Sequence, residues 1–206
     1  MKKFKNTIKN SFVGKLFYYL FSFSSWCYEE EMHKQFRSKY NIDPSFYFNG
    51  GGAGFNGEGK IICGKNSYIG QYSSIQSSAN CKVVIGDNCS ISHFVKIYTQ
   101  NSLADQDFSK EKKYSMGDVI IGNDCWIGAN VFIRENVEIG GNAVIGANSM
   151  VAKNIPPHSI AVGNPAKVIK FKSYLTKLEK EKLALEFWDS LSDKLKLEFS
   201  YLKNNQ

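Results

Sequence analysis

Aliphatic residues recur at every sixth position over a long stretch of this chain. In an α-helix, six residues turn the backbone by about 600°, so these side chains would not form one stripe. In a strand six is an even number, so all of them face the same side. One straight strand of this length would measure on the order of 100 Å, far beyond a normal strand. The chain must therefore bend at regular intervals along the series Ile121, Ile127, Ile133, Ile139, Ile145 and Val151.

Small residues accompany this series and indicate how the bends are made. Glycine follows most of the aliphatic residues, with asparagine or aspartate nearby, and both types tolerate the positive φ that tight corners need. The pattern predicts an all-β core, a parallel β-helix whose short strands coil around stacked aliphatic side chains. A second inward residue, small enough for a narrow column, is expected four positions after each aliphatic residue: Cys125, Val131, Val137, Ala143 and Ser149.

Two shorter blocks with the same spacing extend the repeat toward the N-terminus. They comprise Cys63, Ile69 and Ile75, and then Ile85, Ile91 and Ile97. The ten-residue step between the blocks adds four residues to one coil, and the polar residues 98–118 lose the repeat altogether, so an excursion loop is predicted there. We place the β-helix at residues 51–170, after an N-terminal helical segment (1–50) and before a C-terminal helix (171–206).

Both flanking segments show helical spacing. Apolar residues recur at steps of three and four within residues 1–40, and the glycine-rich stretch 50–54 ends that pattern. Residues 172–202 repeat Leu, Ala and Trp at helical steps between Lys and Glu. Because each coil of a β-helix buries its apolar face only against the next coil, an open end needs a cover. The C-terminal helix is interpreted as such a cap or as a subunit contact.

The net charge of +7 is concentrated at the two ends of the chain. Residues 1–15 carry five Lys and no acidic residue, and residues 167–206 carry nine Lys and six acidic residues. The remainder has twelve basic and thirteen acidic residues. Since nucleic-acid-binding proteins carry a basic face on the folded body, no nucleic-acid partner is predicted. The basic N-terminal helix is instead expected at a membrane surface, against a glycosyltransferase, or packed on its own domain or a neighbouring subunit.

No transmembrane segment or secretion signal is predicted. The longest uncharged run near the N-terminus, LFYYLFSFSSWCY (16–28), has thirteen residues, too few to span a bilayer. The five Cys form no CxxC pair and are interpreted as small, reduced core residues. These features predict a cytoplasmic protein, at the inner face of the membrane if the N-terminal helix meets lipid.

The stretch VIIGNDCWIGANVFIRENVEIGGNAVIGANSMVAKNIPPHSIAVGNPAKVIK (119–170) resembles the hexapeptide-repeat acyltransferases. It is most similar to their galactoside, maltose and polysaccharide O-acetyltransferase branch. Consecutive hexapeptides followed by IPP and G-x-P-A-K carry the resemblance, which covers about residues 61–170. The resemblance implies a left-handed coil, a homotrimer with active sites between neighbouring subunits, and acetyl-CoA as the co-substrate, with no metal required.

The resemblance also implies which residues meet the cofactor. In the family, small outward side chains let the pantetheine arm pass, and cationic groups meet the cofactor phosphates. The alanine before the first of these lysines replaces a threonine frequent in relatives, so one hydroxyl contact is missing. For each lysine an ordinary solvated charge is the alternative. The residues so assigned are Ala129, Ala147 and Ala152 along the arm, and Lys153, Lys167 and Lys170 at the phosphates.

The acceptor site is expected near the excursion loop. Trp126 precedes an inward isoleucine and therefore points outward; relatives use this position to wall the acceptor pocket, and packing under the loop is the alternative. Galactoside-type relatives place a catalytic histidine where this chain has Asn101 and Ser102, which are expected, with Asp105, to contact the acceptor. Transfer to a hydroxyl group needs a base. His93 is the candidate, because it lies on the coil that leads into the loop.

The predicted function is an acetyl-CoA-dependent O-acetyltransferase that acts by direct transfer on a sugar or a surface polysaccharide, such as lipopolysaccharide or capsule. No nucleophile-and-base pair indicates a covalent acetyl-enzyme. Two alternatives stay open. One is N-acetylation of an amino sugar, whose neutral amine needs less help from a base. The other is a non-catalytic β-helix scaffold, in which His93 is a packed side chain.

Overall fold

The computed structural model describes residues 11–204, which divide into two units between Lys39 and Tyr40. The first unit is helix α1 (Phe12–Lys39), which confirms the predicted N-terminal helix. Its first half exposes large apolar side chains around most of the helix, from Phe12 (80% exposed) to Tyr28 (64% exposed). Within the described range, no helix is both long and apolar enough to cross a membrane. Four of the five N-terminal lysines precede this range and lie outside the described residues.

The second unit is a parallel β-solenoid of five coils, each of which contributes one strand to each of three sheets. Sheet A contains β1 (Asn41–Ile42), β4 (Lys60–Cys63), β7 (Lys82–Ile85), β12 (Val119–Ile121) and β15 (Val137–Ile139). Sheet B contains the five coil strands β2 (Tyr47–Asn49), β5 (Tyr68–Gly70), β8 (Ser90–Ile91), β13 (Trp126–Ile127) and β16 (Val144–Ile145), and beyond the last coil β18 (Ser159–Gly163) and its antiparallel partner β19 (Ala166–Phe171). Sheet C contains β3 (Gly54–Asn56), β6 (Ser74–Gln76), β9 (Lys96–Tyr98), β14 (Phe132–Ile133) and β17 (Met150–Val151).

The predicted aliphatic column forms the core of the solenoid. Equivalent isoleucines pair from coil to coil, for example Ile91 with Ile127 and Ile127 with Ile145. The isoleucines at every sixth position are at most 1% exposed, and the small inward residues between them are at most 2% exposed. The even spacing therefore predicted the inward face correctly along the whole repeat.

The corners differ from the sequence-based expectation in one respect. Asparagine and aspartate, such as Asp124 and Asn142, take the positive φ at the corners, whereas the glycine after each isoleucine does not. Those glycines are needed for close stacking instead. A Cβ atom on Gly128 would lie 2.5 Å from the backbone nitrogen of Ala147 in the next coil, and one on Gly122 would lie 2.6 Å from the nitrogen of Gly141. Any larger residue there would push two coils apart.

The solenoid begins at Asn41, earlier than the expected start at residue 51. In its first coil, Phe48 and Phe55 take the places that Ile69 and Ile75 hold in the next coil, and Phe46 is buried in the place of a small inward residue. The rings of Phe48 and Phe55 lie 5.5 Å apart. An aromatic first coil fits a solenoid end, where there is room for larger side chains, but it conceals the aliphatic repeat in the sequence.

The excursion leaves the solenoid at the corner between sheets C and A. It carries an antiparallel pair, β10 (Gln100–Ser102) and β11 (Tyr114–Met116), so the predicted loop is in part a hairpin. This corner, the C–A corner, is a different edge of the solenoid from the B–C corner that follows β8 and β13.

The C-terminal segment is not the single helix that was predicted. After β19 come α2 (Lys177–Glu186), a 3₁₀ turn (Trp188–Ser190), α3 (Asp193–Glu198) and α4 (Tyr201–Asn204). Two capping side chains explain the division, because Thr176 and Ser192 each accept a backbone N–H bond at a new helix start. These helices pack on β19, where the ring of Phe199 lies 6.1 Å from that of Phe171.

Candidate functional site

Trp126 lies on the outer face of sheet B and is 58% exposed. Its backbone pairs with Ser90 on one side and with Val144 on the other, so its side chain stands between two smaller ones. The excursion hairpin leaves from the C–A corner, which does not adjoin the start of β13. Trp126 therefore does not pack under the excursion loop of its own chain, which was the alternative considered for it.

His93 lies in the turn after β8, three residues beyond the Ser90 that pairs with Trp126. Its Nδ1 accepts a hydrogen bond from the backbone N–H of Gln71 at 3.1 Å, and its ring is half-buried. A neutral imidazole whose Nδ1 accepts this bond carries its proton on Nε2. The ring is thus positioned by the preceding coil, with its basic nitrogen engaged.

The two alanines predicted for the pantetheine arm lie one above the other at the B–C corner. Ala129 follows β13 and Ala147 follows β16, and the backbone N–H of Asn148 donates to the carbonyl of Ala129 at 2.9 Å. Ala147 is exposed and Ala129 half-buried. At these two positions the edge presents methyl groups next to the strand that carries Trp126, and beside them the exposed amides of Asn130 and Asn148 are hydrogen-bonded to each other at 2.9 Å.

A second group of predicted residues lies at the base of the excursion, at the C–A corner. Asn101 donates from its amide to the carboxylate of Glu135, and Arg134 donates to the same carboxylate through Nη2 and, at 3.2 Å, through Nε. Ser102 lines an adjacent pocket of about 320 Å³ together with Phe132. Asp105 is exposed farther along the loop.

Glu135 is a residue that the sequence reasoning missed. Its side chain is 1% exposed. Burial alone would raise the pKa of its carboxyl group, but hydrogen bonds from Arg134, Asn101 and Ser115 outweigh burial and hold the pKa below its usual value. Glu135 is therefore ionised and paired, and it anchors the hairpin rather than accepting protons. The repeat gave no signal for its burial, because Glu135 lies two residues after Ile133, in the corner slot that Ala129 and Ala147 hold in other turns of the repeat.

The lysines predicted for the cofactor phosphates are spread over two places. Ala152 and Lys153 line a cleft of about 1100 Å³ between the last coil and the C-terminal helices, opposite Trp188. Lys167 donates through Nζ to the carbonyl of Asp189 at 2.8 Å. Lys170 is exposed on β19.

The predicted residues thus form separate groups on one subunit. Trp126, His93, Ala129 and Ala147 lie on sheet B and its edge, whereas Asn101, Ser102 and Asp105 belong to the excursion at the C–A corner. Sheet C lies between the two groups. Among the described residues, no cluster of three or more His, Cys, Asp or Glu side chains has an arrangement that would hold a metal ion.

No curated protein matches the chain significantly. The profile described as bacterial transferase hexapeptide (six repeats) matches residues 118–153. The structure of a maltose O-acetyltransferase from Clostridium difficile 630 is 31% identical, with a TM-score of 0.55, over 70% of this chain and 76% of that protein. A galactoside acetyltransferase in complex with coenzyme A is 29% identical, with a TM-score of 0.52, over 64% and 71%. A hexapeptide-repeat acetyltransferase from Vibrio cholerae O1 biovar eltor, complexed with acetyl coenzyme A, shares the fold at 24% identity and a TM-score of 0.57, over 69% and 77%.

Proposed function

The chain belongs to the hexapeptide-repeat acyltransferase family, and from this premise we propose that it transfers an acetyl group from acetyl-CoA to a sugar hydroxyl. The observation that carries the proposal is the pair of small side chains, Ala129 and Ala147, stacked at the B–C corner beside the exposed Trp126. The maltose and galactoside enzymes, at 31% and 29% identity, support a sugar as the acceptor. A surface polysaccharide such as lipopolysaccharide or capsule is the acceptor class we favour.

The residues of the B–C corner fit an extended thioester cofactor. Small side chains at Ala129 and Ala147 leave the strand edge open, so the amides of a pantetheine arm can pair with backbone groups there. Away from this corner, Lys153 follows the last strand of sheet C, and Lys167 and Lys170 lie on β19; they would supply cationic groups for its phosphates, with Ala152 beside the first of them. Acetyl-CoA supplies the acetyl group as a thioester. No metal is needed for this reaction.

His93 is proposed to take the proton of the attacking hydroxyl group. In the described geometry its Nδ1 is engaged by the N–H of Gln71. The ring must release that bond before Nδ1 can accept a proton. Trp126 is proposed to wall the acceptor pocket, with Asn101, Ser102 and Asp105 contributing polar contacts. The hydroxyl oxygen then bonds to the acetyl carbon, the carbon–sulfur bond breaks, and CoA leaves as its thiolate.

One observation favours N-acetylation of an amino sugar as a second candidate. The Nδ1 of His93 already accepts the N–H of Gln71, and Asn101 is bound to Glu135. A neutral amine is already nucleophilic and tolerates this arrangement.

Acetyl transfer to sugars with and without an amino group tests the proposal. Release of the CoA thiol is measured for the wild type, for His93→Ala and for His158→Ala, a control histidine that is hydrogen-bonded to Tyr174. We expect transfer to sugars that carry only hydroxyl groups, a fall in kcat of about 100-fold or more for His93→Ala, and little change for the control. A fall of less than about tenfold excludes His93 as the base.

Two other results would change the assignment. Transfer to amino sugars alone would replace the hydroxyl acceptor by an amine. No binding of acetyl-CoA at millimolar concentration would instead make the protein a scaffold.

A homotrimer is proposed because the two groups of site residues lie on different faces of one subunit. A neighbouring copy that placed its excursion hairpin over sheet B would bring Asn101 and Ser102 of one subunit toward Trp126 of the next. Such an arrangement uses one type of interface three times and closes as a ring. A nucleic-acid partner is not proposed, since the excess positive charge lies at the chain ends.

Helix α1 is proposed to hold the protein at the inner face of the membrane, in the cytoplasm. Large apolar residues from Phe12 to Tyr28 are exposed around most of its first half, and Lys15, Ser22 and Ser25 form a narrow polar stripe on the remaining side. Five lysines within residues 1–15 would meet anionic lipid headgroups. A glycosyltransferase is the alternative partner for this surface.

A further inference from the structure

The outer face of sheet B carries aromatic side chains in register from coil to coil. Tyr47 pairs with Tyr68, Tyr68 with Ser90, and Ser90 with Trp126. Tyr47 is 59% exposed and Trp126 58% exposed. Since neighbouring strands lie about 4.8 Å apart, the Cα atoms of Tyr68 and Trp126 are separated by about 10 Å, with only a serine between them. We refer to Tyr47, Tyr68 and Trp126 as the aromatic row.

A second row, of polar side chains, runs beside the aromatic row. It lies at the corner between sheets A and B, two residues before each outward position of sheet B. Its members bond to one another along the solenoid, for example from Asn88 Nδ2 to Asp124 Oδ1 at 3.1 Å. Each amide or carboxylate has further donor or acceptor capacity beyond these bonds. The polar row consists of Ser45, Asn66, Asn88, Asp124 and Asn142.

The other side of the aromatic row carries small residues on the sheet itself. Two residues after each outward position, coils two to five carry Gly70, Ser92, Gly128 and Gly146. The ring of His93 lies against Gly70, and at the adjoining B–C corner the exposed rings of Tyr72 and Phe94 stack 5.4 Å apart. The result is a shallow surface along the solenoid axis, with rings on its line, amides on one side, and small residues bounded by these three rings on the other.

We propose that this surface binds the acceptor as a glycan chain of several residues, which runs along the solenoid axis from Trp126 toward Tyr47. The C–H face of a pyranose ring packs on an aromatic ring, and its hydroxyl groups at the ring edge bond to amides and carboxylates. An extended glycan advances by a similar length per residue to the rise per coil, so successive sugars meet successive coils. The inference rests on the proposed function, because Trp126 adjoins the alanine edge where the acetyl group would arrive.

The chain therefore distinguishes acceptors by their length. A monosaccharide at Trp126 would not reach Tyr47, which lies three strands away, about 14 Å. A tetrasaccharide or longer chain would cover the whole aromatic row. Tyr47 is thus expected to affect the binding and turnover of long acceptors only, whereas Trp126 is expected to affect those of acceptors of every length.

Binding and turnover are measured separately with malto-, cello- and N-acetylglucosamine oligosaccharides from mono- to hexasaccharide. The wild type is compared with Tyr47→Ala and with the control Tyr174→Ala, an equally exposed tyrosine outside sheet B. Calorimetric titration without acetyl-CoA reports binding, and release of the CoA thiol reports turnover. In at least one series we expect Tyr47→Ala to lower affinity and kcat/KM about tenfold for long acceptors and less than about twofold for mono- and disaccharides.

The outcomes separate the two proposals. Length-dependent binding that is lost in Tyr47→Ala, without any acetyl transfer, supports the glycan surface and refutes the acetyltransferase. Acetyl transfer with no length dependence, or an equal effect of Tyr47→Ala at every length, overturns the glycan surface alone. A smaller particle mass for Tyr47→Ala in light scattering also overturns it, because the aromatic row would then be a contact between copies of the chain.

Discussion

Glu135 lies at a corner of the repeat, two residues after Ile133, and its side chain is buried. A buried carboxylate is stable there only because Arg134 and Asn101 donate to it. The same bonds join the solenoid to the first strand of the excursion hairpin. One buried charged residue at a corner of the solenoid therefore positions the segment that was expected to contact the acceptor.

Replacing Glu135 tests this anchoring role through its pH dependence. Because the folded pKa of Glu135 lies below its usual value, its contribution to the free energy of unfolding is complete above about pH 4.5 and is lost as the pH falls through the folded pKa. We expect Glu135→Gln to lower the free energy of unfolding by about 1–3 kcal/mol at pH 7. Urea unfolding measured from pH 7 to pH 3 should show this difference shrinking in acid.

The matched control is Glu138→Gln, since Glu138 is an exposed carboxylate on β15. Its effect should stay within about 0.5 kcal/mol at every pH. A constant difference between wild type and Glu135→Gln over the whole range would show that the charge of Glu135 does not hold the hairpin.

At the scale of elements, helix α1 and the coils differ in whether their apolar residues are buried. Each coil buries its apolar residues against the next coil, whereas the first half of α1 leaves them exposed around most of the helix.

The aliphatic repeat could be predicted from the sequence because its spacing is even and its corners carry Asn and Asp. The first coil could not, because Phe48 and Phe55 replace isoleucines and Phe46 replaces a small inward residue. The division of the C-terminal helix depended on the Thr176 and Ser192 caps, which helical spacing alone does not reveal.

Vesicle binding tests the role proposed for α1. The wild type should sediment with phosphatidylglycerol vesicles, and less with phosphatidylcholine vesicles or at high salt, because lysines and apolar side chains act together. The double variant Phe17→Asp/Phe21→Asp is expected to lose at least about tenfold in binding. Gln35→Asp/Ser38→Asp adds the same charge to exposed positions in the second half of the helix and serves as the control. Equal binding of both variants would exclude membrane contact through the apolar half.

At the scale of the whole molecule, the sequence allowed each site residue to be assigned to a segment of the chain, but it did not predict the distances between those segments. Trp126 was correctly expected to point outward. Asn101 and Trp126 lie on different edges of the solenoid, because the excursion leaves at the C–A corner. Only the sheet topology shows this. The bond from the Gln71 backbone to His93 joins residues on two coils, and no periodic pattern predicts it.

Mixed assembly tests whether the site is shared between subunits. Trp126→Ala alters sheet B, and Ser102→Trp fills the pocket beside the excursion. If each site combines sheet B of one subunit with the hairpin of the next, each variant alone is inactive, but trimers assembled from an equal mixture regain about a quarter of wild-type activity. Light scattering should give a mass of about three times 23.2 kDa. A site complete within one subunit predicts no recovery.

The glycines that separate neighbouring coils have a consequence for how such proteins are compared. Gly122 and Gly128 lie so close to the backbone above them that geometry alone forbids any side chain, whatever reaction the protein performs. The glycines of the repeat are therefore required for the stacking of coils and give no information about the acceptor. Differences in substrate preference among such proteins should be sought in the outward residues, such as Tyr47 and Trp126, which the scaffold leaves free to vary.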